Sequence, residues 1–156
     1  MDYRQIIRSQ YLASLEMLKQ AIEKCPDALW NDPADKNKFW HVAYHTLFYT
    51  HLYVQPSEQD FRPWAKYRQA HDLSQPADPY SREDVLEYLA FCQQQVVEQV
   101  PQLNPDAESG FYWLPFSKAE LQIYNIRHLQ QHAGELMERL GSRAGLDVDW
   151  VDMKHA

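Results

Sequence analysis

Positive charge, cysteine and long apolar runs are all scarce in this chain of 156 residues, and each shortage removes a class of function. Lys and Arg number 15 against 22 Asp and Glu, a net charge of -7 at pH 7. Neutralising a phosphate backbone takes a surface rich in lysine and arginine, so no nucleic-acid partner is expected. The two cysteines, Cys25 and Cys92, fall in separate helical patterns. That spacing suits neither a disulfide framework nor a cysteine zinc ribbon, and a reducing, cytoplasmic setting is expected. No run approaches the ~18 apolar residues of a membrane span. The opening MDYRQIIRSQ carries charges at its second and fourth positions, so neither a signal peptide nor an anchor is expected. Internal repeats and low-complexity tracts are missing too.

What is present reads as helix. Residues 1–156 suffice for one domain that buries roughly two-thirds of its unfolded surface. Tyr3, Ile7, Tyr11, Leu15, Leu18 and Ile22 recur every three or four positions, which predicts an amphipathic helix from Asp2 to about Cys25, stopped by Pro26. Residues 26–38 read as a loop. A second helix, from about Lys36 to Val54, carries Phe39, Trp40, Tyr44, Phe48, Tyr49 and Tyr53, a density that predicts burial on more than one side. Residues 55–80 form a long connection broken by four prolines, with Phe61, Trp64 and Tyr67 available to pin it down. Connections of that length are usually functional or crossovers, and a rim over a site is expected here. Ser81 opens a third helix whose stripe is Val85, Leu89, Cys92, Val96 and Val100, ended by Pro101. After a loop with an apolar cluster at Phe111–Pro115, Ser117 and Glu120 mark the capping box of a fourth helix running to about Gly141. Gly134 in its middle is explained at this level by close approach of a helix or ligand. The expected class is all-α, a four-helix bundle with a long crossover between helices two and three.

Two histidine pairs at helical spacing stand out. His128 and His132 stack one turn apart on the fourth helix, and His41 and His45 do so on the second. The two pairs meet only if those helices pack together, and three imidazoles on such a face make an open metal site with positions left for water or substrate. His51 lies about 120° round the helix from His45 and cannot readily share it. His71 and His155 lie in polar segments and receive no role. Asn125 and Glu135, a turn or less away, are candidates for orienting the imidazoles. Arg127 points about 100° away from His128. Cys92, on a buried helical face, reads as a packing residue, Cys25 beside a proline has no evident base, and neither is expected to be a nucleophile.

The stretches FWHVAYHTLFYTHLY and FYWLPFSKAELQIYNIRHLQQHAGEL resemble the DinB/YfiT-like superfamily, with the whole chain matching in helix order and length. The resemblance implies a four-helix bundle with a crossover between helices two and three. It also implies a divalent metal, nickel or zinc, held by one histidine of helix two and two of helix four. Carried over by position, the ligands are His45, His128 and His132; His41, one turn earlier, is left as a fourth ligand or part of an alternative pair. A homodimer is implied, as is chemistry like that of members that are thiol-dependent transferases and isomerases; DNA polymerase activity is not. The expected function is metal-dependent transfer of a low-molecular-weight thiol to a small electrophile. The alternatives are a metal-dependent hydrolase and a non-catalytic stress-response protein binding a metal or small ligand.

Overall fold

The computed structural model describes residues 2–155, and among them five α-helices and no strand form: α1 (Tyr3–Lys24), α2 (Asp27–Trp30), α3 (Phe39–Tyr53), α4 (Arg82–Gln99) and α5 (Lys118–Ala144). The expected helices one to four are α1, α3, α4 and α5. Their starts follow from side chains that satisfy the free amides of a first turn. Asp2 accepts from the Arg4 amide at 3.0 Å, Ser81 from Asp84 at 3.1 Å and Ser117 from Glu120 at 3.2 Å. The loop expected at residues 26–38 contains the single turn α2, too short to show any periodicity. The fourth helix runs past its expected stop at Gly141. It ends where Gly145 turns left-handed at φ 64°, with the Leu146 amide bonded to the Leu140 carbonyl.

The stripes bury as their spacing requires. Ile7, Tyr11, Leu15, Leu18 and Ile22 of α1, and Val85, Leu89, Cys92 and Val96 of α4, join one continuous apolar cluster with Leu121, Leu129, Leu136 and Leu140 of α5. Each fully buried leucine or valine contributes about 1.5–3 kcal/mol. Of the fifteen residues of α3, all but His45 and Tyr49 are buried, because α4 and α5 both pack on it. The same two helices pack on α1. The histidine-bearing helices α3 and α5 are therefore neighbours.

The long connection is pinned as its aromatics suggested: Trp64 is buried and stacks on Tyr88 of α4 at 4.5 Å. Residues 146–154 form no helix and lie along α1, where Gln10 and Gln20 donate to the carbonyls of Asp152 and Asp149 and Lys154 pairs with Glu16. No helix among the described residues is long and apolar enough to cross a membrane.

Gly134 corrects an expectation. A Cβ built there meets nothing within 4 Å, so no close approach of another helix explains the residue. Gly134→Ala is accordingly expected to stabilise the protein by about 1 kcal/mol, the helix-propensity difference, read as a higher urea midpoint with unchanged slope. A loss of stability would mean the position is more crowded than its surroundings indicate.

Candidate metal centre

His128 and His132 share a face of α5 because four residues make little more than one turn, and α3 lies alongside with His45 pointing at them. One nitrogen from each of the three rings lies within 4.8 Å of the others. The His45 and His128 Nε2 atoms stand 3.2 Å apart, and the His132 ring is 4.9 and 4.6 Å from those of His45 and His128, near perpendicular to both.

Neighbouring groups settle which nitrogens are free. His45 Nδ1 donates to the His71 carbonyl at 2.6 Å, and His132 Nδ1 donates to the Glu135 carboxylate at 2.9 Å. In the neutral rings this leaves both Nε2 atoms as lone pairs, the form that binds metal. Glu135 is held in turn by Arg139, which also reaches Asp35. His128 differs: its Nδ1 is buried without a partner among the described residues, so only packing, including Tyr49 at 5.6 Å between ring centres, orients it.

The donor set fits a cation. The His45 Nε2 lone pair faces the His128 Nε2 at 3.2 Å, a separation that either a proton on His128 or a shared cation accommodates. Nitrogens bound side by side to one ion at about 2.0–2.1 Å stand roughly 2.9–3.4 Å apart, which brackets the observed spacing.

The other histidines go elsewhere. His41, on the same stripe as His45, faces the long connection rather than α5; its Nε2 donates to the Ala70 carbonyl at 2.7 Å and its ring stacks on Trp40. It is outside the three-ring cluster. His51 bonds the Tyr88 hydroxyl at 3.0 Å, on the far side as its angle required. Asn125 is buried and donates to the Thr50 carbonyl at 3.3 Å, so it ties α5 to α3 and reaches no imidazole. His155 is exposed. Arg127 is exposed and lies over Tyr124.

His71, given no role from the sequence, is half-buried beside the site. Its ring stacks on Phe48 at 4.1 Å and its carbonyl orients His45. The contact that matters is made by its backbone, which no residue type advertises. Only the aromatic anchors of the connection hinted that the segment folds back here.

Burial disfavours the charged rings: His45 and His128 are each pushed down to about 4, with smaller contributions from neighbouring imidazoles, and His51 is pushed down to about 4 by burial alone. His45 and His128 are thus neutral and ligand-ready at neutral pH. The sign for stability follows. Above about 6.5 these groups are neutral both folded and unfolded; below it the unfolded chain takes up protons that the folded chain refuses until pH falls to about 4. Metal-stripped protein is therefore expected to lose stability across that window, seen as a urea midpoint that falls between about pH 7 and about pH 4.5. A flat midpoint would mean the rings charge freely in the folded state.

The model of the DinB superfamily matches residues 10–136, which contain all three histidines. The chain belongs to the DinB superfamily. Comparison of this DinB-superfamily chain with curated proteins finds no match, and comparison with solved structures finds none. Among the described residues, the cluster of His45, His128 and His132 could hold a metal ion in this DinB protein.

Proposed function

We propose that this DinB protein is an enzyme in which His45, His128 and His132 hold one divalent cation and use it to activate a low-molecular-weight thiol for transfer to a small electrophile. The observation that carries the reading is the apposition of the His45 and His128 Nε2 atoms at 3.2 Å, with the His45 lone pair set by a carbonyl bond on its other nitrogen. A divalent ion on three neutral imidazoles keeps positions for outside ligands and lowers the pKa of a thiol or water bound there. The protein's own groups do the rest. The His71 carbonyl and Glu135 hold two of the rings in their tautomers, and Arg139 steadies Glu135.

Glu135 also weighs on the choice of reaction. Both of its oxygens are engaged, one by His132 and one by Arg139, so Glu135 is not free to serve a hydrolase as general base. A thiol that reacts once deprotonated makes less demand for one. Nickel or zinc suits an all-imidazole set. The four long helices make up a single four-helix-bundle domain with residues 55–80 as its crossover, the protomer of a homodimer. Two buried free thiols, Cys25 and Cys92, suit a cytoplasmic setting.

The test is elemental analysis of protein purified without an affinity tag, followed by assay with a panel of cellular thiols and electrophiles. One nickel or zinc per chain together with thiol-dependent turnover is expected. Stoichiometric metal with no turnover would instead favour a non-catalytic stress-response binder. Sub-stoichiometric metal would remove the site.

A further inference from the structure

Tyr49 and His71, which border His45 and His128, also line a cavity of about 310 Å³, at the small end of the roughly 300–1,000 Å³ usual for ligand sites. A larger cavity, about 760 Å³, is lined only by residues of the 106–117 loop and has no such link to the rings. The smaller one lies where α3 is open, since His45 and Tyr49 are the two residues of that helix left partly exposed.

Its walls are aromatic: Phe48, Tyr49, Tyr53, Phe61 and Trp113. Phe48 meets Tyr49 at 87° and Phe61 at 72°, while the His71 ring lies nearly parallel to it at 12°. Trp113 is fixed by an indole bond to the Tyr53 hydroxyl at 3.1 Å.

Among the residues that line the cavity the formal charge has one sign, while Arg62, just outside the lining, donates to the Phe61 carbonyl at 2.9 Å. The lining includes Glu58 and no lysine or arginine, and among the described residues no ion pair or side-chain hydrogen bond engages the Glu58 carboxylate. Asp72 lies close enough for its charge to act on Tyr49 and His71. Aromatic faces attract cations by about 0.5–2 kcal/mol, more as water is excluded. A primary ammonium would need three acceptors, whereas a methylated one asks only for ring faces and a nearby negative charge.

We propose that this cavity seats the alkylated ammonium head of a small cationic molecule and presents the rest of that molecule to the three histidines, an inference that rests on the metal function proposed above. The probe is choline, compared with its uncharged isostere 3,3-dimethylbutanol, titrated calorimetrically into the full chain both zinc-loaded and chelator-stripped. Choline is expected to bind at least about tenfold tighter than the isostere. Glu58→Gln, at an exposed position, is expected to remove most of that preference, and Glu58→Lys to abolish choline binding.

Equal binding of the two probes, or an unchanged preference in Glu58→Gln, would overturn the proposal. So would displacement of choline by a flat uncharged aromatic such as naphthol. Zinc uptake with no choline preference overturns the cavity proposal and leaves the metal function standing. Choline preference in a chain that takes up no zinc supports the cation site and overturns the metal function.

Discussion

His128→Ala is expected to lower metal affinity by about a hundredfold or more while leaving the fold intact. A structural zinc site is worth about 10–16 kcal/mol over four ligands, so one imidazole accounts for roughly 3 kcal/mol, or about a hundredfold. His128 is the most informative of the three to remove, because among the described residues its ring makes no hydrogen bond except towards His45 and its Nδ1 is buried without a partner. Losing it therefore takes little from the scaffold. His45→Ala and His132→Ala should release metal similarly, but each also frees a carbonyl or carboxylate that the ring had engaged.

Two comparisons sharpen the experiment. His41→Ala is expected to leave metal content unchanged, since that ring is spent on the Ala70 carbonyl. Glu135→Gln should cost about 10–100-fold in affinity, the usual effect of disturbing a group that orients a ligating histidine. Competition against a chromophoric chelator measures all of these. Metal loss on His41→Ala, or full retention on His128→Ala, would place the ion elsewhere.

Lys118→Met is expected to destabilise the protein by about 3 kcal/mol, a large share of the stability of a domain this size. Lys118 is 3 % exposed, and its ammonium donates to the carbonyls of Gln55, Pro56 and Ser109, one for each of its three hydrogens. Burial pushes it down to about 8, so at neutral pH it still carries its charge. Methionine matches its length but leaves three carbonyls without a donor, each costing about 1 kcal/mol or more; relief from burying a charge offsets only part. Lys118 ties the end of α3 to the 106–117 loop. The variant should therefore also become sensitive to protease near Trp113 and Glu58 before it unfolds globally. A change in urea stability below about 1 kcal/mol would show that those carbonyls find other partners.

Neither Lys118 nor His71 announced itself in the sequence, and for the same reason. Both act through backbone carbonyls, which every residue possesses, so only the folded path of the chain reveals which ones converge. The histidine cluster was legible because its chemistry is written in side chains at a spacing that helical geometry interprets directly. His41 tested the limit of that reasoning: periodicity gives the direction a ring leaves its helix but not which segment waits opposite. The α1 and α4 stripes are buried as their spacing predicts, whereas the single turn α2 is too brief to leave a pattern. Gly134 marks a further boundary, since a glycine with no steric reason looks the same in sequence as one that has a reason.

The polar strip of α1 that Gln10 and Gln20 present is bonded by residues synthesised much later, Gln20 by the Asp149 carbonyl 129 positions on. At translation rates of about 5–20 residues per second, α1 waits roughly 6–26 seconds for that strap. During the later part of that interval α4 alone of its two packing partners can cover its apolar side. Early protection by a chaperone, rather than native stability alone, would then decide how much of each nascent chain is recovered.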